Sequence, residues 1–217
     1  MPHFTTDWHS HNIPHWRRIL DRYKGQPNVR ALEIGSYEGR STVWLLENIL
    51  THPTARIDCI DTFEGSVEHV RMGLDLKDLH VQFLMNINPH REKVSVFTGS
   101  SQGILRDRWL ELGPYDFIYI DGSHAAADVL EDAVLSFRLL KVGGLMIFDD
   151  YAWKDGGPSE YDNPMRGVDA FVHAYGDQLK RIHMDYQAVF ERVAVSRVEA
   201  EALSAPERMR EMVARLI

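Results

Sequence analysis

The stretch Tyr115 to Tyr151 opens with Y-D-F-I-Y-I-D-G-S-H (115–124) and closes with G-G-L-M-I-F-D-D-Y (143–151). Two apolar, β-type runs each end in acid, Asp121 in the first and Asp149 with Asp150 in the second. Between them Ala126, Leu130, Ala133, Val134, Phe137 and Leu140 recur at helical spacing. Strand, helix and strand with no hairpin turn make a right-handed crossover, so the two strands are expected to run parallel. Neighbouring strands sit roughly 4.8 Å apart. The carboxylates at their C-terminal ends can therefore meet over one small volume, at the edge where open α/β sheets bind ligands.

The same alternation extends upstream. Val29 to Gly35 (V-R-A-L-E-I-G) reads as a strand that turns into a helix carrying Val43, Leu46 and Leu50 inward. A strand, a glycine turn and a helix start suit a phosphate or nucleoside. The spacing is E-x-G-x-x-x-G, on Glu33, Gly35 and Gly39, and lacks the middle glycine of the dinucleotide fingerprint. Ala55 to Asp61 is the second strand. Its terminal acid falls roughly 20 residues past the glycine turn, where a carboxylate accepts ribose hydroxyls. The other reading of Asp61 is a cap on the turn that follows it. Within Gly65–Arg91 the piece from Lys77 to Asn88 looks helical, and Met72 to Leu76 reads as a loop. Lys93 to Gly99 is a third strand, and Ser100 or Ser101 caps the helix after it.

Downstream of the acids, Ala152 to Asn163 is rich in Gly, Pro and Asp and is read as a substrate lid or a plain surface connection. Pro164 to Tyr175 is a helix, and Leu179–Met184 with Gln187–Val193 form a closing hairpin around Asp185 and Tyr186. Together these runs predict an α/β fold, a seven-stranded, mostly parallel sheet with a C-terminal antiparallel hairpin and helices on both faces. Residues 1–28 form an arm and a helix over Pro14–Lys24. His3, His9, His11 and His15 lie on this segment. A cluster of histidines can hold zinc, but the absence of cysteine partners and of ligand-pair spacing on a clear helix favours an arm or lid over the active site. Residues 29–195 are the main domain, and 196–217 hold an amphipathic helix that packs on it or joins another subunit of a homo-oligomer.

Composition bounds the rest. The 217 residues are 44% hydrophobic, enough for one domain with a full core. A net charge of -8 argues against nucleic acid as the main partner. Cys59 has no second cysteine to pair with and reads as a small buried hydrophobe. No run has the length of a membrane helix and the start lacks a signal-peptide core, so the expectation is a cytoplasmic protein away from membranes.

Five β-α steps, with E-x-G-x-x-x-G at the first turn and acid at the second, resemble the class I S-adenosylmethionine-dependent methyltransferases, with their Rossmann-like fold. The pattern is closest to the metal-dependent O-methyltransferases of the catechol and macrolide-sugar kinds. The resemblance covers roughly Val29 to Val193. It implies that Glu33, Gly35, Ser36 and Gly39 hold the methionine portion, Asp61 the ribose, and Ser101 with Gln102 the adenine. Asp121 counts both among the cofactor contacts and, with Asp149 and Asp150, among the ligands of a divalent metal. The third residue past Asp121 is His124, as in the macrolide-sugar kind, where catechol enzymes carry a lysine base. The chain is shorter than the macrolide-sugar enzymes, and the resemblance implies nothing about its substrate surface.

The residues support this chemistry on their own. Three carboxylates at one sheet edge repel unless a cation joins them, and oxygen ligands select a hard ion such as Mg²⁺. Ser123 is the expected N-cap, which would put His124 on the first helical turn as a neutral general base. Asp149 and Asp150 reach one ion only if the chain turns between them. Otherwise Asp150 caps the next loop, and His124 is an ordinary helix-start residue of a metal-independent methyltransferase. The expected function is therefore Mg²⁺-assisted O-methylation of a small hydroxylated natural product, a sugar or polyol. The rivals are a nicotinamide-dependent oxidoreductase and a non-catalytic cofactor-binding protein.

Overall fold

Burial alternates along the central strands. In β1 (Arg30–Ile34) Ala31 enters one core cluster, while Leu32 and Ile34 enter another. In β4 (Tyr115–Ile120) Phe117 and Tyr119 face the first cluster and Tyr115, Ile118 and Ile120 the second. Successive strand side chains point to opposite faces, so two cores mean a sheet covered on both sides. These strands belong to a computed structural model that describes residues 2–153 and 163–194.

The remaining strands are β2 (Arg56–Asp61), β3 (Val94–Thr98), β5 (Leu140–Phe148), β6 (Leu179–Met184) and β7 (Ala188–Arg192). They form one seven-stranded sheet in the order β3-β2-β1-β4-β5-β7-β6. Strands β1 to β5 pair in parallel, and β7 pairs antiparallel with both β5 and β6. On the first face α1 (Ile13–Ile19), α2 (Arg40–Asn48) and α4 (Leu79–Ile87) contribute Trp16, Leu46 and Phe83. On the second, α5 (Ser101–Asp107), α6 (Ala126–Phe137) and α7 (Pro164–Tyr175) contribute Leu105, Val129 and Phe171. Strand order reverses between β1 and β4, which opens a crevice at their C-terminal ends.

The predicted architecture is present, with local differences. Leu140 begins β5 rather than ending the helix, because Arg138 closes α6 and Leu140 pairs with Tyr115. The helix expected over 14–24 stops at Ile19, and a 3-10 turn, Asp21–Tyr23, brings the Tyr23 hydroxyl to the Asp116 carbonyl at 2.9 Å. The linker after β2 contains a short helix, α3 (Val67–Arg71), and the loop Met72–Leu76 that follows it packs Leu76 against the core. Ser100 is the cap of α5, its Oγ accepting from the Gly103 amide at 3.3 Å. Most of the expected lid, residues 154–162, and the C-terminal helix lie outside the described residues. No helix among the described residues is long and apolar enough to cross a membrane.

Gly35 is the tightest point of the frame. Its φ is +83°, and a Cβ there would lie 2.0 Å from the Asp121 carbonyl oxygen. The first turn and the end of β4 thus touch backbone to backbone. Gly35→Ala is expected to cost about 2–4 kcal/mol through strain and overlap together. Chemical denaturation reads this directly, and an unchanged midpoint would contradict the close approach.

Candidate active site

The crevice is an open cavity of about 800 Å³. Its walls contain Gly35, Ser36, Asp61, Ser101 and Gln102 on one side, and Asp121, His124, Asp149 and Asp150 on the other. Residues from five separate strand ends, read one by one from the sequence, therefore share one space.

The first side is held by Asp61. Its Oδ2 accepts from the backbone amides of Ser36 at 2.7 Å and Tyr37 at 2.8 Å, and its Oδ1 accepts from Phe63 at 2.6 Å. The carboxylate thus shapes the first turn and caps its own turn at once. Gln102 donates to Asp132 at 3.3 Å, a buried acid whose pKa burial raises to about 7.

Glu33 and Gly39, expected against the methionine portion, are not among the cavity walls. Strand alternation turns Glu33 under α2, fully buried. It accepts from Ser36 at 2.8 Å and Ser41 at 2.6 Å, and also from Thr42. Burial pushes its pKa up, and those hydroxyls oppose the shift. Cys59, itself buried, approaches the same carboxylate at 3.6 Å. Gly39 supplies a left-handed start to α2, with φ +81°, and makes room for the Phe83 ring.

The acidic side turns on Asp150. Pairing continues through Asp149, whose amide donates to the Ile120 carbonyl at 3.0 Å. Asp150 then adopts φ +54°, so the chain does turn between the two acids. The Asp149 carboxylate accepts from Tyr119 and from Asn12 Nδ2, the latter at 3.2 Å. Tyr119 also donates to Asp121 at 2.8 Å. Asp150 accepts from the Tyr186 hydroxyl and meets His124 Nε2 at 2.9 Å. The ligand atoms that converge are those of Asp121, His124 and Asp150, all within 4.8 Å of one another. His124 thus takes the place in this cluster that was expected of Asp149.

The acids of this side are held in a crowded, low-polarity setting. Burial, then the charges of Asp149 and Asp150, hold the Asp121 carboxyl well above the usual range. Burial, then Asp150, pushes Asp149 up to about 6. Carboxylates crowded this way favour a cation between them. The carboxylate oxygens suit a hard divalent ion such as Mg²⁺, and the imidazole suits a first-row transition metal.

His124 does not sit on a helical turn. Ala125 is extended and is itself the N-cap position of α6. Ser123 instead donates to Asp128 at 2.7 Å and accepts from the Ala125 amide at 3.1 Å. The ring is placed by Asp150 and by Trp153, 4.3 Å away between centroids, not by a helix dipole.

Several wall residues had no local sequence signal. Tyr119 and Tyr186 are such cases, since a tyrosine in an apolar strand or hairpin turn reads as packing. The N-terminal arm also reaches the cavity, through Thr6, Asp7, Trp8, His9 and His11. Its backbone is tied down where the Thr5 amide donates to Glu38 at 2.7 Å and the His3 amide to Asn86 at 2.7 Å. The four histidines of the arm diverge: His15 lies 3.9 Å from the His183 ring, His11 lies edge-on to Tyr186, and His9 packs on Trp16.

A parallel sheet with one reversed strand and a ligand cavity at its switch point defines a Rossmann-like methyltransferase fold. The family model described as "Methyltransferase domain" matches residues 32–151, just over half of the chain, and the chain belongs to that family. Solved structures share the fold. The MycE methyltransferase of the mycinamycin biosynthetic pathway, in complex with Mg and SAH, is 18% identical with a TM-score of 0.57, over 88% of this chain and 51% of that one. The O-methyltransferase TomG from Streptomyces achromogenes, involved in tomaymycin synthesis and solved with SAM, is 16% identical with a TM-score of 0.60, over 83% and 80%. An O-methyltransferase from Bacillus cereus in complex with SAH is 17% identical with a TM-score of 0.62, over 88% and 84%. Among curated proteins, the uncharacterized protein R132 of Acanthamoeba polyphaga mimivirus is 24% identical over 126 residues, 57% of this chain. The chain spans about half the length of that relative and of MycE.

Proposed function

We propose that the protein is an S-adenosylmethionine-dependent O-methyltransferase that uses a divalent cation, Mg²⁺ by preference, and acts on a hydroxyl of a small natural product, a sugar or polyol unit. The observation that carries this reading is the single cavity walled by Asp61, Ser101 and Gln102 at one side and by Asp121, His124 and Asp150 at the other. S-adenosylmethionine supplies the methyl group. Asp61 accepts from the ribose hydroxyls, Gln102 faces the adenine edge, and Gly35 with Ser36 follows the methionine portion. Glu33 and Gly39 act one layer back, by holding the turn. Asp121, Asp149 and Asp150 provide the negative charge for the cation, which lowers the pKa of the acceptor hydroxyl when bound. His124, held by the Asp150 carboxylate through Nε2, takes the acceptor proton. Thr6, Asp7, Trp8, His9 and His11 of the N-terminal arm line the cavity, and the arm serves as a lid. The net charge of -8 argues against nucleic acid as the main partner, and we place the protein in the cytoplasm.

A second reading has its own observation. Because the His124, Asp121 and Asp150 ligand atoms converge, His124 would itself be a metal ligand, and Asp149 would hold the site together through Tyr119 and Asn12. The nicotinamide rival is opposed by the absent middle glycine and the acid cluster. Separate calorimetric titrations with S-adenosylhomocysteine and NADH test the class: binding of the first alone is expected. Asp61→Ala is expected to weaken S-adenosylhomocysteine about 10–100-fold, the worth of one or two buried charge-assisted hydrogen bonds. Undiminished affinity would remove Asp61 from the ribose.

A further inference from the structure

His9 is a buried group that the proposed reaction leaves unused. It is 6% exposed, and neither ring nitrogen has a hydrogen-bond partner among the described residues. Leaving both unmet in a protein interior is unfavourable. The ring nonetheless stands in the cavity wall, held edge-on at 4.5 Å by Trp16 and at 5.7 Å by Trp44 of α2. An ordered, orphaned imidazole facing a cavity points to a ligand group that completes it.

The place in the cavity identifies that group. A sulfonium cofactor sends three branches from its sulfur: the adenosyl group, the transferable methyl, and an amino-acid chain ending in a carboxylate. On the proposed reading the adenosyl branch runs to Asp61 and Gln102, and the methyl faces His124. The rest of the wall includes the start of α2, with Arg40 and Ser41, the arm with His9, and the segment after β2 with Ser66, His69 and Arg71; of these, the group that is buried and unpartnered among the described residues is His9. That helix start carries positive dipole charge, and Gly39 at its N-cap offers no side chain to the first-turn amides. Arg40 is partly engaged already, its Nε donating to the Thr6 carbonyl at 2.8 Å with Asp7 3.6 Å away.

We infer that His9 is a cofactor-binding residue whose ring N–H donates to the carboxylate of the methionine portion, so that the N-terminal arm supplies part of the cofactor site. The inference rests on the proposed S-adenosylmethionine reading. Burial lowers the pKa of His9 to about 4. The ring is thus neutral near pH 7, with one donor and one acceptor, and it binds through a hydrogen bond rather than as a cation.

The test compares S-adenosylhomocysteine with 5′-methylthioadenosine, which keeps the nucleoside and lacks the amino-acid end. His9→Phe retains an aromatic ring between the two tryptophans. Calorimetry is expected to show S-adenosylhomocysteine weakened about 10–100-fold and 5′-methylthioadenosine changed less than about twofold. In the wild-type protein, the His9 ring ¹H–¹⁵N signal should shift with the first ligand and not with the second, an outcome independent of how the variant folds. Equal losses for both ligands, no loss for either, or a ring signal indifferent to S-adenosylhomocysteine would overturn the assignment. Those results leave the wild-type affinity for S-adenosylhomocysteine intact. A wild-type protein that binds neither ligand would sink the cofactor reading together with this one.

Discussion

His124→Ala is expected to bind S-adenosylhomocysteine almost as tightly as the wild type and to lose about 10²–10⁴-fold in kcat, the usual worth of general-base help. The imidazole reaches Asp150 at 2.9 Å and shares the cavity with Asp61 and Gln102, whose own hydrogen bonds run to the Ser36, Tyr37 and Phe63 amides and to Asp132. The two roles open to the ring separate by titration with Mg²⁺. A base lost to alanine stays lost at any ion concentration. A ligand lost to alanine raises the Mg²⁺ requirement, and activity returns as the ion is raised. Retention of full turnover at ordinary Mg²⁺ would eliminate both roles.

Chelation is the second large effect. EDTA is expected to reduce turnover at least about 10²-fold, and Mg²⁺ to restore it. The reason lies in the crowding of Asp121, Asp149 and Asp150, whose mutual repulsion and burial raise the pKa of the first two. Such a group binds cations when the charges are exposed to one another and pays for it otherwise in protonation. Asp150→Asn should shift the Mg²⁺ dependence upward, because it removes one converging oxygen charge while keeping the Tyr186 partner. The control is affinity for S-adenosylhomocysteine, which should survive EDTA. Turnover that is indifferent to chelation would return the protein to the metal-independent alternative.

The sheet was legible because its signals are local. Apolar runs such as Phe117–Ile120 and Leu145–Phe148 declare strands, and the 3.6-residue pattern between them declares the crossover helix. The handedness of such connections then leaves few topologies. Element ends were less legible. Leu140 continues a helical pattern yet starts β5, because pairing with Tyr115 wins over local periodicity. In the site, the acids at the strand ends were readable because a parallel sheet brings those ends together whatever lies between.

What the chain's order of residues determined alone is therefore the sheet, its two covered faces, and the gathering of Asp61, Asp121, Asp149 and Asp150 at one edge. Tertiary structure decided the rest: that Glu33 turns under α2, that Asp150 takes a left-handed bend, and that Asn12 crosses 137 positions to reach Asp149. It also decided that two tyrosines and the arm complete the cavity. The physical reason is range. Strand and helix periods repeat within a few residues, whereas a carboxylate's partner is chosen by whichever donor packing delivers, and no short pattern encodes that.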